Sequence, residues 1–252
     1  MLRLTSVVLF LIAVLVLSSP LPAADWGSLT GKFVYDGTPP APDPIVVNKD
    51  IAVFGKLNLV DESLVVGKDG GIANIVIYVR TRGIDVHPDL EKNTPAMVTF
   101  DNKGGRFRPR ILPVWLEKQK VLLHNSDPVS HNSNVQPLGD EGANPLLPAS
   151  GGSHMHTFNR QQFIPVPVSC GIHPWMKGYI LPRSNPYVAV TGPDGSFKLD
   201  KLPVGELEFQ VWQEKSGYVS VNGWVRGRFT RVIKSGANDL GTVKVTPELF
   251  NK

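Results

Sequence analysis

The run Val168-Ser169-Cys170-Gly171-Ile172-His173-Pro174-Trp175-Met176 sets a thiol, an imidazole and a thioether at positions 170, 173 and 176 of one short stretch. Donors this close in sequence converge on a single ion if the stretch is a loop between two strands. Thiolate and thioether are soft ligands, and with an imidazole they suit copper best among the common biological metals. A trigonal site needs one more imidazole, and His131 offers it in the run Asn125-Ser126-Asp127-Pro128-Val129-Ser130-His131-Asn132. Two imidazoles, one thiolate and a long axial thioether form the ligand set of blue-copper electron-transfer sites. Taken singly, these residues have plain readings: a buried thiol, ordinary polar histidines and a core methionine. The set and its spacing point to a metal.

Cys170 is the sole cysteine of the chain. Residues 1–24 read as a targeting segment, with Arg3 at the start, an apolar run over 7–17, and Pro20-Leu21-Pro22-Ala23-Ala24 for cleavage. The apolar run falls short of the ~20 residues that span a bilayer; an uncleaved anchor is the other reading of the same stretch. The pattern predicts a cleavable signal, a mature chain starting near Asp25, and a periplasmic or otherwise exported protein with no membrane span. Exported proteins usually spend cysteines on disulfides, and one cysteine cannot pair within its own chain. A lone exported thiol beside His173 and Met176 is therefore best read as a ligand.

Removal of the signal leaves about 228 of the 252 residues, room for one large or two small domains. The 22 prolines and 24 glycines punctuate valine-rich segments, which argues for short strands joined by turns, and no stretch keeps a helical period. The expected class is all-β, with two β-sandwiches. A net charge of +4 gives no case for nucleic acid, and neither a phosphate-binding glycine loop nor a serine nucleophile in a recognisable setting is present.

Strands are expected over residues 29–35, 62–66, 72–80, 97–100, 116–124, 153–158, 163–169, 178–181, 187–191, 196–199, 206–213, 225–234 and 240–245. Residues 106–112 read as a basic strand or loop, 133–152 as a long loop, and 48–59 as a loop or one helical turn. The continuous run Ile75-Val76-Ile77-Tyr78-Val79 suits a strand buried on both faces. Pro165 and Pro167 require a strand edge or nitrogens that face away from a partner. Arg106, Arg108 and Arg110 form a one-sided stripe if extended; its ordinary reading is an exposed strand face, and a contact for an acidic partner is the other reading. His154 and His156 share one side of a strand, enough for a surface metal but more often just exposed side chains. His124 and His87 carry no ligand signal.

The run from Cys170 to Met176, followed by Lys177-Gly178, resembles the cupredoxins of the amicyanin and plastocyanin type. Val121-Leu122-Leu123-His124-Asn125-Ser126-Asp127 is similar to their approach to the first histidine. The resemblance covers roughly residues 94–182. It implies one type 1 copper held by His131, Cys170, His173 and Met176, and a side chain at Asn132 that ties the two ligand loops together. The implied role is a single-electron carrier between redox partner proteins, not an enzyme. Copper holding or delivery, or a structural sandwich with an idle metal loop, would use the same residues. An apolar frame of Ile172, Pro174 and Trp175 around the His173 edge is the expected docking face.

The flanks resemble the carboxypeptidase regulatory-like β-sandwich, through Gly31-Lys32-Phe33-Val34-Tyr35-Asp36-Gly37-Thr38-Pro39 and through Asp194-Gly195-Ser196-Phe197-Lys198-Leu199 with Leu202-Pro203-Val204-Gly205. The combination is similar to periplasmic methylamine-utilisation-type proteins. It implies a cupredoxin Greek-key sandwich over residues 94–185, nested in an outer sandwich built from 25–93 and 186–252. On that reading a fragment of residues 94–185 is expected to fold alone and bind copper.

Overall fold

Trp26–Tyr35 is the middle strand of a three-stranded sheet, antiparallel to Ser196–Pro203 on one side and parallel to Gly236–Val245 on the other. The computed structural model describes residues 26–221 and 223–251, so the proposed signal over 1–24 lies outside the described residues. Along this strand Leu29, Phe33 and Tyr35 turn inward at the period of two that a half-buried strand requires. They meet a second sheet ordered Val188–Val190, Val76–Val79, Gly205–Gln213 and Gly217–Tyr218, with Arg228–Ile233 also paired to Gly205–Gln213. Leu29, Phe33, Ile77, Val79, Phe209, Val211 and Val243 fill the space between. The protein is all-β, and its first core is drawn from the two ends of the chain.

A second core is drawn entirely from the middle, with Phe100, Phe107, Val114, Leu123, Val168, Cys170, Met176 and Ile180 among its members. One sheet runs in the order Asn134–Val135, Val166–Ser169, Lys177–Arg183 and Ile111–Trp115; the facing sheet runs Ser153–His156, Lys120–Asn125, Met97–Asn102 and Phe107–Arg108. Phe100 and Phe107 stack with centroids 5.1 Å apart, and the sheets close tightly over them. A Cβ on Gly178 would lie 2.8 Å from both rings' residues, so only glycine fits there. Val166 and Val168, which alternate with the two prolines, are buried. The carbonyl of Pro167 accepts from the Gln136 amide just past the two-residue strand Asn134–Val135. The Pro167 nitrogen faces this same neighbour but has no hydrogen to return the bond, and the ladder to Asn134–Val135 stops there.

The strand Val76–Val79 is buried on both faces because it lies between the two units. Ile77 and Val79 belong to the first core, whereas Val76 and Tyr78 pack with Ile111, Leu181 and Trp212 in a third cluster that joins the sandwiches. Asn74 interrupts the expected strand over 72–80 by adopting a left-handed backbone (φ 59°) between Ile72–Ala73 and Val76–Val79. The other sequence expectations shift mainly at their ends. Residues 116–119 form a turn rather than strand, and Ile111–Trp115 is a strand where a loop was an alternative. Pro88–Asn93 is a short helix instead of loop: Pro88 opens it, and His87 Nδ1 accepts from the Asp89 amide at 3.0 Å.

The arginine stripe is a correction. Arg106 and Arg108 reach Glu62 at 2.8 and 3.1 Å, and Arg110 forms a bidentate pair with Glu214 at 2.6 and 2.8 Å. Burial alone would push the Glu62 carboxyl up, but Arg108 and Arg106 hold it below its ordinary value. Arg106 and Arg110 are therefore spent on contacts to residues 62 and 214, and Arg108, though paired, stays exposed. Arg183 makes a second tie. It is buried, donates to the carbonyls of Gln162 (2.8 Å) and Val79 (3.2 Å), and lies 4.8 Å over the Tyr78 ring.

Arg110 and Glu214 are only 8% and 7% exposed, so each leaves an uncompensated charge if its partner is removed. Arg110→Met should cost about 3–5 kcal/mol in urea unfolding. Arg110→Met combined with Glu214→Leu should recover most of that loss; an equal loss in the double variant would show that the pair is not coupled.

Candidate metal centre

His131 follows a loop that leaves the strand Lys120–Asn125, and buried Asn125 shapes the loop. Its Nδ2 donates to the carbonyls of Val129 (2.8 Å) and Pro148 (2.9 Å), and its Oδ1 accepts from the Asp127 amide at 3.0 Å. Asp127 is thereby turned inward, where it accepts from the amides of Gly104 and Gly105 at 2.5 and 2.9 Å. Both glycines have φ of 66°, which aims consecutive amides at one carboxylate. The Asp127 Oδ2 then meets His131 Nε2 at 3.0 Å. A carboxylate on the far nitrogen fixes the tautomer and leaves Nδ1 as the free donor.

Cys170 and His173 lie in the turn between the antiparallel strands Val166–Ser169 and Lys177–Arg183. The Met176 amide donates to the His173 carbonyl at 2.9 Å and closes that turn. Asn132 holds the two loops together: its Oδ1 accepts from the Gly171 amide at 2.7 Å and lies 3.4 Å from Cys170 Sγ, and its Nδ2 donates to Asn144 at 2.6 Å. The amides of Asn132 and His173 point at the sulfur.

These loops bring three donor atoms into a triangle. Cys170 Sγ is 3.7 Å from His131 Nδ1 and 3.8 Å from His173 Nδ1, and the two nitrogens are 3.0 Å apart. The point equidistant from the three lies about 2 Å from each, the length of a metal–imidazole bond. All three residues are buried, at 0, 2 and 0% exposure for His131, Cys170 and His173. Two imidazole nitrogens facing each other at 3.0 Å with a sulfur beside them have no apolar explanation, and the donor set fits a copper ion. Met176 is buried in the same core as Cys170.

Two residues without any sequence signal complete the surroundings. Asp50 Oδ2 is 2.8 Å from His173 Nε2, and Phe54 packs edge-on to the His173 ring at 5.1 Å and against His131 at 6.0 Å. Asp50 is the N-cap and Phe54 the last residue of the helical turn Ile51–Phe54, far along the chain from either ligand loop. The expected open edge at His173 is thus corrected: the imidazole is fully buried because this turn lies over it. Trp175 sits 5.2 Å from the His173 ring and donates to the Gly105 carbonyl at 3.1 Å. Asp127 had a faint sequence signal, an acid four residues before a candidate ligand; Asp50 and Phe54 had none.

The remaining histidines stay apart from the triangle. His124 lies on the strand leading to the loop, His154 is exposed, and His156 is buried edge-on to Phe158 at 4.6 Å.

No protein-family model matches the chain, and no curated protein matches it. Several solved structures are similar over part of it. A Cu-containing nitrite reductase from Thermus scotoductus is 26% identical over 42% of this chain, with a TM-score of 0.30; this chain spans 25% of that one. A purple cupredoxin from Nitrosopumilus maritimus is 24% identical over 35% of this chain and 99% of its own, with a TM-score of 0.27. An amicyanin mutant in the Cu(I) form is 14% identical over 42% of this chain and 98% of its own, with a TM-score of 0.30.

Electrostatics of the triangle follow from its contacts. Burial would raise the Cys170 thiol, but His131, the amides and His173 outweigh it and bring the pKa down to about 6. Burial would likewise lower His131, but Asp127 and Cys170 carry it up to about 9. Between these values the site holds a thiolate and an imidazolium. The thiolate's contribution to stability is present at high pH and lost as pH falls through about 6; the imidazolium's is present at low pH and lost as pH rises through about 9. The two slopes oppose each other, so metal-free stability should be nearly flat across that window. The ultraviolet thiolate absorbance of metal-free protein should appear near pH 6, not in the ordinary range around 8.5. A midpoint near 8.5 in the folded protein would contradict this electrostatic account.

Proposed function

We propose that the protein is an exported, periplasmic type 1 copper protein that carries single electrons between redox partner proteins. The observation that carries this reading is the triangle of Cys170 Sγ, His131 Nδ1 and His173 Nδ1, with sides of 3.7, 3.8 and 3.0 Å. Met176, buried at the end of the same turn, is the proposed weak axial ligand, and one copper binds per chain. When bound, the copper supplies one-electron chemistry at a site whose trigonal geometry suits both oxidation states. The protein residues supply the rest. Asp127 and Asp50 fix the two imidazole rings, Asn132 and the Gly171 amide hold the loops at one separation, and buried aromatic rings keep the dielectric low.

Full burial of the three donors favours carrying electrons over delivering copper, since release would require opening a packed core. Three protein donors and an axial sulfur leave no position for a substrate, so the reading includes no enzymatic step. We further read residues 94–185 as the copper-binding sandwich, set into an outer sandwich of residues 25–93 and 186–252. The outer unit carries the turn that covers His173. A redox partner would therefore meet the Asp50 turn instead of a bare imidazole edge.

Cu(II) added to the full chain should give a strong visible thiolate-to-copper band at one copper per chain. Cys170→Ser should abolish the band, and His131→Ala or His173→Ala should open or destroy the site. Met176→Gln should keep a coloured site and lower its reduction potential. Absence of a visible band, or preference for Zn(II) with no redox couple, would sink the carrier reading. An unchanged potential in Met176→Gln would remove Met176 from the ligand set.

A further inference from the structure

We propose that residues 44–60 of the outer sandwich are a working part of the metal centre: Asp50 positions the His173 imidazole through its Nε2–H, and Phe54 seals the two imidazoles from solvent. This inference rests on the copper reading and extends it to residues far from the ligand loops.

The segment is built to reach the site. Its base is closed by the bridge between Pro44 and Val60 and by the Ile45 amide, which donates to the Leu59 carbonyl at 2.8 Å. That same base is anchored to the middle of the chain, where Arg106 donates to the Val60 carbonyl at 3.1 Å and pairs with Glu62. Phe54 is fully buried, and Leu59 is nearly so. Both lean on Gly105, where an added Cβ would stand 3.0 Å from Phe54 and 3.3 Å from Leu59. Gly105 also donates to Asp127 and accepts from Trp175, so the cover and the first ligand loop share one backbone position.

Asp50 itself carries the argument. It stands at the N-cap of the turn Ile51–Phe54, the position at which an aspartate side chain normally accepts from amides of its own turn. It forms no such bond. Its backbone is left-handed (φ 46°, ψ 45°), and its carboxylate goes instead to His173 Nε2 at 2.8 Å. A non-glycine residue in that conformation, with its local hydrogen bond forgone, is held by the contact it makes. The carboxylate is 40% exposed while the imidazole it holds is fully buried, so Asp50 joins the ligand to the surface.

Two consequences can be read separately. In metal-free protein the His173 Nε2–H should give a slowly exchanging imidazole proton signal by NMR in the native chain. That signal should broaden away in Asp50→Ala and persist in Asp50→Asn, which keeps an acceptor. In copper-loaded protein, Asp50→Asn should keep the visible band but raise the reduction potential, because the lost negative charge had favoured Cu(II). Asp50→Ala should hold copper about 10- to 100-fold less tightly. The native Cu(II) spectrum should ignore added azide, and Phe54→Ala, with the milder Phe54→Leu as a check on folding, should admit it. A native spectrum that shifts with azide would overturn the seal. Unchanged proton exchange and potential in the Asp50 variants would reduce the segment to packing. Failure of the copper reading would show differently, as a native chain with no thiolate band while the His173 proton remains protected.

Discussion

Everything around the centre serves one constraint: two imidazole nitrogens and a sulfur must be held within 4 Å of one another although each is stripped of water there. Buried donors in that arrangement are costly unless other contacts fix them. The protein fixes each from behind. Asp127, itself held by two glycine amides, locks His131; Asp50 locks His173; and two backbone amides and Asn132 restrain the sulfur. The depressed Cys170 thiol and the raised His131 follow from this arrangement. Donors held this firmly from behind would move little if the charge on a bound ion changed.

The two sandwiches are coupled through this constraint as well as through packing. The inner core from Phe100 to Ile180 is self-contained, yet Ile111 and Leu181 bury against Val76, Tyr78 and Trp212 of the outer unit. The arginines 106, 108 and 110 find their carboxylates on Glu62 and Glu214, and Arg183 finds its acceptors partly on Val79. A fragment of residues 94–185 keeps all four proposed ligands but sheds these partners together with Asp50 and Phe54. Its copper site would be open where that of the whole chain is covered.

What was legible in the sequence was local. The spacing of Cys170, His173 and Met176 and the polar run ending at His131 needed only strand ends and donor chemistry to interpret. Val166 and Val168 alternating with prolines, and the doubly buried Val76–Val79, followed from period and composition. What escaped was set by contacts over long separations. The Asp50–His173 bond spans 123 positions and depends on a left-handed backbone that no spacing rule announces. The pairing of the arginine stripe was hidden because Glu62 and Glu214 lie 46 and 104 positions from Arg108 and Arg110. Pro88–Asn93 is a different case, since a proline at the first helical position and acids in the first turn were there to be read.

X-ray absorption at the copper edge of the fully loaded, full-length protein addresses the central claim most directly, because it counts the donor atoms on the metal. The account predicts two imidazole nitrogens and one short sulfur in the first shell, with that sulfur lost in Cys170→Ser. A shell of nitrogen and oxygen alone, unaltered by Cys170→Ser, would contradict it.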